Sequence, residues 1–502
     1  MTVPREKPLD KLLEAIDVRA GDFAREIVIT GIGEDSRRIE NGMLFVAIAG
    51  AVHDGVDFVN EAIARGAAAV VSERPLSLPV PSFVVPDARR ALAALASAFF
   101  DAPTNQLRTI GVTGTNGKTT VCHWIAHLLG SEKTELVSTV ANEERALSAV
   151  TTPSSPTVQG IARRAADAGK ENLVIEASSI GLAQHRLDAV AFDIAAFTNL
   201  SHDHLDVHGD LSTYLADKAR LFRALDADGW CVVNADDAHA DPIVASTRGQ
   251  VLKVGQRPPV DVRVSDVVVS GHRTRFRLHS REEATTVDLP AVDPWAVQNG
   301  LVAVGVGLCA GLGIDEIVDR LETAPPVPGR WFLLRDPTGT TAVVDFAHNP
   351  EALQRAVKTL RDGHDRLVVV FGCPGESDRH KRPRMGEISG RIADLTILTT
   401  DNPKHERPEA IIAEIARGLR PTGGLMRMVV DRAEAIRQGV EEAGPSGVVL
   451  IAGKGHERYQ IVRGAFVAHS DIDTLGALGF AAIGADASTQ PPGDGASTGL
   501  EP

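Results

Sequence analysis

Apolar runs of strand length alternating with helical patterns predict an α/β protein built on parallel sheets. A strand, glycine-rich turn and helix at 108–129 predict that one sheet carries a phosphate-binding loop. The chain has 502 residues, too many for one core, and Pro-bearing connectors at 101–106 and 325–330 divide it into three blocks.

In order, the strand candidates are GMLFVAIAG (42–50), AAAVVSE (67–73), RTIGVTG (108–114), NLVIEASS (172–179) and AFDIAAFTNL (191–200). TAVVDFA (341–347), RLVVVFG (366–372), DLTILTTD (394–401) and GVVLIAG (447–453) follow. Continuous apolar runs of this kind suit strands covered by helices on both faces. The expected units are 1–106, 107–330 and 331–482. Residues 483–502, rich in Gly, Pro, Ser and Ala, have almost nothing to bury and read as a disordered tail.

Hydrophobic residues make up 43% and charged residues 24%, an ordinary globular balance. A net charge of −14 argues against general nucleic-acid binding but leaves room for a local basic pocket. The four cysteines are far apart and form no CxxC pair, so reduced thiols are expected and a structural zinc is not. The opening MTVPREKPLDKLLEAI carries charges where a signal peptide needs an apolar run. No apolar segment reaches the roughly 20 residues that span a bilayer. A cytoplasmic protein without a membrane partner is expected.

Within RTIGVTGTNGKTTVCHWIAHLL, backbone N–H groups from Gly114 through Thr115, Asn116 and Gly117 to Lys118 can cradle phosphates at a helix N-terminus. Lys118 would neutralise the β/γ oxygens, Thr119 would reach a magnesium ion, and Thr120 continues the helix. The spacing is not the strict phosphate-loop pattern, since Val112 stands where the first Gly belongs. A chemically idle Gly turn is the bland alternative, and the strand–turn–helix context outweighs it. Glu176 ends a strand, where open α/β sheets put ligands. Downstream, His202, Asp203, His204, Asp206, His208 and Lys218 crowd one loop and helix. Any one of these could be a solvated polar residue. Together, beside a triphosphate, they suggest a second magnesium. Neither a kinase's catalytic base nor a GTPase's N-K-x-D element is present.

TGTNGKTT, TTPSS, EASSIGLAQHR, FTNLSHDHLDVHG, YLADK, PVPGR, VVDFAHNP and GKGHE, in this order, resemble the Mur ligases of peptidoglycan synthesis. The resemblance covers about residues 28–480 and is closest to the MurE type, in particular the 2,6-diaminopimelate ligases. It implies a three-domain ligase that uses ATP and two Mg2+ ions. Such an enzyme converts the carboxylate of UDP-N-acetylmuramoyl-L-alanyl-D-glutamate to an acyl phosphate and joins it to an amino acid. By resemblance, Lys118, Thr119 and Glu176 hold the triphosphate and first magnesium, and His204 holds the second. Lys218 matches a carbamylated lysine that also binds metal; a surface helix lysine is its alternative. Asn299, Arg330, Asp345 and His348 match ATP contacts. Ser36 and His53 match uridine-nucleotide positions; Thr151, Thr152, Ser178, Gln184 and Arg186 match muramoyl-dipeptide contacts. Asp401, Asn402, Lys404, Gly453 and Glu457 fall on the amino-acid side. A monomer acting on small-molecule substrates is expected.

Three positions depart from the family pattern. Ser377 stands where an Arg grips the amino acid's carboxylate, with Arg379 two residues on as a candidate substitute. Lys404 replaces the Arg of D-N-P-R, and Ile180 replaces a His. Pro403 restricts Asn402 to an extended conformation, which should aim Lys404 at the pocket. The departures leave two readings open. One is a diaminopimelate ligase in which Arg379 and Lys404 take over; the other is a related ligase of a specialised-metabolite pathway with a different amino acid or acceptor. A non-catalytic Mur-like scaffold is the alternative from another class, but it should have lost Lys118, Glu176, His204 or Lys218. The folylpolyglutamate synthases lack a UDP-binding first domain.

Overall fold

A computed structural model describes residues 5–19, 21–50, 53–145, 150–201, 203, 205–280 and 283–483. His202, His204, the side chain of Asp206 and all of the expected tail beyond Ile483 lie outside the described residues.

The larger sheets occupy successive spans of the chain. The first is four-stranded and parallel, in the order Gly31–Gly33, Met43–Val46, Ala69–Ser72, Ser82–Val84. Helix Ala88–Phe99 covers it, burying Leu92, Leu95 and Phe99 at helical spacing, and Asp87 caps it by accepting from Arg90 N.

The second sheet has nine strands. From one edge they run Glu283–Leu289, Arg273–Ser280, Val262–Ser270, Gln250–Gly255, Trp230–Asn234, Ile194–Phe197, Arg108–Thr113, Asn172–Glu176, Thr134–Val137. Seven are parallel, and the pairings among residues 262–289 are antiparallel. That meander departs from the all-parallel expectation. In Arg273–Ser280 only Thr274, Phe276 and Leu278 are buried, an alternation that marks a sheet with one wet face. Helices Lys118–Leu128 and Ala296–Cys309 pack on one face of the sheet; Ser155–Asp167 and Leu211–Arg223 pack on the other.

The third sheet runs Met426–Met428, Leu395–Leu398, Leu367–Phe371, Val448–Ala452, Thr341–Asp345, Phe332–Arg335, Ala481–Ala482, with the last two strands antiparallel. Asp345 ends one of its parallel strands, and Asp401 and Gly453 follow the ends of Leu395–Leu398 and Val448–Ala452, the edge at which α/β sheets hold ligands. Arg432, wholly buried, ties that edge together. It donates to Thr400 O (3.3 Å) and Ala452 O (3.0 Å) and pairs with buried Asp471 at 2.7 Å. Asp471→Asn would leave the guanidinium buried without its counter-charge. It is expected to cost about 3–5 kcal/mol, read as a lower urea midpoint.

All four cysteines are unbridged. Among the described residues no helix is long and apolar enough to cross a membrane.

Candidate active site

The turn after Arg108–Thr113 needs its glycines. Gly114 has φ +151° and Gly117 φ +85°. A Cβ on Gly114 would meet Thr198 Oγ1 at 1.9 Å, and one on Gly117 would meet Asn299 Oδ1 at 2.2 Å. The adjacent strand Ile194–Phe197 continues into a brace for this loop. Thr198 Oγ1 donates to Asn116 O (2.7 Å), Asn116 N donates to Asn199 Oδ1 (2.9 Å), and Thr115 N donates to Asn199 O (2.8 Å). Thr198 and Asn199 were not singled out in the sequence. Their signal was the polar pair directly after a buried strand.

Lys118 Nζ donates to Thr115 O at 2.9 Å. Burial lowers the Lys118 pKa and the Glu176 charge opposes that. Thr119 Oγ1 donates to Glu176 Oε1 at 3.0 Å, and Arg330 Nη2 reaches the same hydroxyl at 3.0 Å. Thr139 N and Oγ1 donate to Glu176 Oε2 at 2.9 and 3.0 Å. Arg330 stacks over Phe346, 4.1 Å from the ring centroid.

These groups line one cavity of about 240 Å³ between the second and third sheets. Of the sequence candidates, Thr115–Thr120, Thr151, Glu176, Asp203, Asn299, Arg330, Asp345 and His348 are on its wall, joined by Thr139 and Trp295. Burial, with the charge of Asp345 adding to it, pushes Asp293 on the same wall up to about 7. Among the described residues Asn299 Oδ1 and Arg330 Nε are buried without a hydrogen-bond partner; a nucleotide could supply a phosphate oxygen to the guanidinium and a hydroxyl or amine donor to the amide oxygen. The third sheet's unit closes on the loop: Asn349 Nδ2 donates to Asn116 Oδ1 and Asp203 Oδ2, both at 3.2 Å. His348 Nε2 is 3.4 Å from the same Asp203 oxygen.

Lys218 is 1% exposed, which excludes the surface-lysine alternative. Its Nζ donates to Gly114 O at 2.7 Å and sits 4.3 Å from the Tyr214 ring centroid. Burial, reinforced by the charge on Lys118, holds its pKa well below the usual amine value. For a magnesium ion, Thr119 and Glu176 offer the hard oxygens it requires. Among the described residues no three His, Cys, Asp or Glu side chains group as a metal site, and His204 lies outside those residues.

On the acceptor side, Arg186 donates to Thr152 O (2.5 Å) and Gln184 Oε1 (2.7 Å). The Thr152 hydroxyl is buried and donates to Glu176 O at 2.7 Å, while Ser178 Oγ caps the helix Ser179–Ala183 through Gly181 N. Both hold the strand end that carries Glu176. Ser36, buried and donating to Glu61, and exposed His53, edge-on to Phe58, lie in the first sheet's unit and off the cavity.

On the amino-acid side, Asn402 Nδ2 and Lys454 Nζ donate to Glu457 Oε2 at 2.8 and 2.6 Å; Lys454 was missed in the sequence. Gly453 has φ +108°, and a Cβ there would lie 2.8 Å from Asp401 Oδ2. Arg379, the candidate substitute two residues from Ser377, pairs with Glu414, and its side chain is 66% exposed. Glu414 also pairs at 2.8 Å with buried Arg382, so the carboxylate is fixed in place. Lys404 turns left-handed (φ +51°), with its N–H and C=O paired with Ile461 and Arg463 (2.8 and 2.6 Å). The restriction imposed by Pro403 acts on Asn402 and does not reach the next residue.

Three family descriptions match in chain order: Mur ligase family, catalytic domain, over 28–100; Mur ligase middle domain over 112–307; and Mur ligase, glutamate ligase domain, over 329–455. The chain is 39% identical over 447 residues to UDP-N-acetylmuramoyl-L-alanyl-D-glutamate–2,6-diaminopimelate ligase of Geobacillus kaustophilus, covering 86% of this chain and 91% of that one. A solved structure of a ligase with the same name aligns with TM-score 0.65 and 33% identity over 93% of this chain and 98% of that one. The crystal structure of MurF ligase from Thermotoga maritima in complex with ADP shares the fold, at TM-score 0.59 and 20% identity over 85% of this chain and 94% of that one.

Proposed function

The chain belongs to the Mur ligase family, and from that premise we propose that it joins an amino acid to the D-glutamyl carboxylate of UDP-N-acetylmuramoyl-L-alanyl-D-glutamate at the expense of ATP, a step of peptidoglycan precursor synthesis. The observation that carries this reading is the single cavity on which Lys118, Thr119 and Glu176 face Arg330, Asp345 and His348 from the opposite unit. Such a site serves transfer of a phosphoryl group to a carboxylate, which needs charge neutralisation and alignment more than a base.

In the proposed sequence the acceptor carboxylate oxygen bonds to the γ-phosphorus as the bond to ADP breaks, giving an acyl phosphate. The incoming amine then bonds to the acyl carbon, loses a proton and expels phosphate. Lys118 and Arg330 offset the phosphate charge from opposite walls, and the braced loop presents its N–H groups. Arg186 holds an anionic group of the acceptor in a planar fork. Thr119 and Glu176 would hold one magnesium ion, and His204 with Lys218 a second; bound magnesium neutralises phosphate oxygens. A buried Lys218 amine whose pKa is held well below the usual value is suited to add to CO2 and lose a proton, becoming a carboxylate donor. Soluble nucleotide substrates place the reaction in the cytoplasm, and a monomer suffices for it.

We assign the amino acid to the 2,6-diaminopimelate class named for the relatives. A second reading, a different amino acid, draws on Ser377 and on the Glu414 grip on Arg379, which leave the loop short of a free guanidinium. Amino-acid KM values for the natural protein, Ser377→Arg and Lys404→Arg decide between them. For diaminopimelate, each added guanidinium is expected to lower KM by about tenfold, because a forked contact replaces a hydroxyl or a point charge. Another amino acid outperforming diaminopimelate in a phosphate-release panel, with its KM for diaminopimelate unmoved by either change, would assign the pocket to that amino acid.

A further inference from the structure

The short helix Thr139–Glu144 joins two parts of the site that come from different units. Its first residue holds Glu176 through N and Oγ1, and that hydroxyl lies 3.1 Å from Thr151 Oγ1 on the cavity wall. Four residues on, the Glu143 carboxylate crosses to the third unit. Its Oε1 accepts from Arg458 N at 2.8 Å, and its Oε2 lies 3.2 Å from His456 Nε2. His456 and Arg458 flank Glu457, the carboxylate bound by Asn402 and Lys454.

The helix is fixed along its length. Ser138 caps it by accepting from Ala141 N at 3.2 Å. Wholly buried Asn142 donates to Val150 O and Thr151 O at 3.2 and 3.1 Å. At about 1.5 Å rise per residue, the span from Thr139 to Glu143 is about 6 Å, too short to bend. His456 is neutral, its pKa pushed down to about 2 by burial and by Arg330 and Lys454, so its ring meets the carboxylate as a neutral partner.

We propose that Glu143 is a positioning residue for the incoming amino acid: it accepts from the backbone N–H of Arg458 and lies against His456, the two neighbours of Glu457, and so sets the amino-acid loop at a fixed distance from the Glu176 end of the same helix. This rests on the ligase reading above. Amide formation needs the amine about 3–3.5 Å from the acyl carbon, and a small displacement of the loop is costly in rate. The first half-reaction, at the phosphate loop, does not use the Glu143 contact.

The test separates the half-reactions. Hydroxylamine traps an acyl phosphate as a hydroxamate without needing the amino-acid loop, whereas amide formation does need it. In Glu143→Ala, the amino-acid KM should rise about tenfold to a hundredfold, while acceptor-dependent hydroxamate formation stays at the natural rate. Glu143→Gln keeps an oxygen acceptor for Arg458 N and should recover most of the loss. An unchanged amino-acid KM in Glu143→Ala overturns the proposal, as does hydroxamate formation falling in step with amide formation in both variants. Absence of hydroxamate with the natural protein would instead sink the ligase reading itself.

Discussion

Lys118→Ala is expected to lower acceptor-dependent ADP release by about a thousandfold, with no loss of folded protein. Lys118 opens the helix Lys118–Leu128 and lines the cavity beside Thr119 and Glu176. The γ-phosphoryl group carries charge that must be offset as the acceptor carboxylate, itself negative, approaches. Removing the ammonium takes away the cationic side chain that faces Arg330 across the cavity. The fold is spared because Lys118 Nζ makes a single bond to Thr115 O, while the loop is held by Thr198 and Asn199. Initial rates and thermal midpoints measured together check both halves of the expectation.

The second large effect belongs to Lys218. Lys218→Ala is expected to lose about a hundredfold in turnover, the scale of removing a group that holds or orients a metal. Partial recovery with added short carboxylic acids is expected, since they can occupy the place of a carbamate. The environment favours this chemistry: the amine is buried, its pKa is well depressed, and it is 2.7 Å from Gly114 O at the mouth of the phosphate loop. Lys218→Arg with full activity would contradict it, because a guanidinium can neither form a carbamate nor bind magnesium. Mass spectrometry of the intact protein in bicarbonate supplies a readout independent of turnover.

What was legible in the sequence is what neighbouring residues determine. The phosphate loop declared itself because strand, turn and helix are contiguous over 108–129. The brace from Thr198 and Asn199 did not, because it depends on Ile194–Phe197 lying next to Arg108–Thr113 in the sheet. Lys454 hides within GKGHE until the fold sets it against Asn402, and Glu143 meets His456 and Arg458 only across two units. The pairing of Arg379 with Glu414 was hidden for a similar reason: the carboxylate lies on a separate helix, beyond what sequence proximity shows. The left-handed turn at Lys404 goes with long-range pairing to the segment Tyr459–Val462, which a local proline argument does not show. The antiparallel meander at 262–289 was passed over because half-buried strands alternate and show no continuous apolar run.

The central claim is that the acceptor's carboxylate is activated as an acyl phosphate. It is tested most directly by labelling the D-glutamyl γ-carboxylate of UDP-N-acetylmuramoyl-L-alanyl-D-glutamate with 18O. The reaction is run with ATP, magnesium and meso-2,6-diaminopimelate, and the released phosphate is examined by mass spectrometry. Each turnover is predicted to transfer one carboxylate oxygen to phosphate, with the other retained in the new amide. Amide product accompanied by unlabelled phosphate would contradict the account.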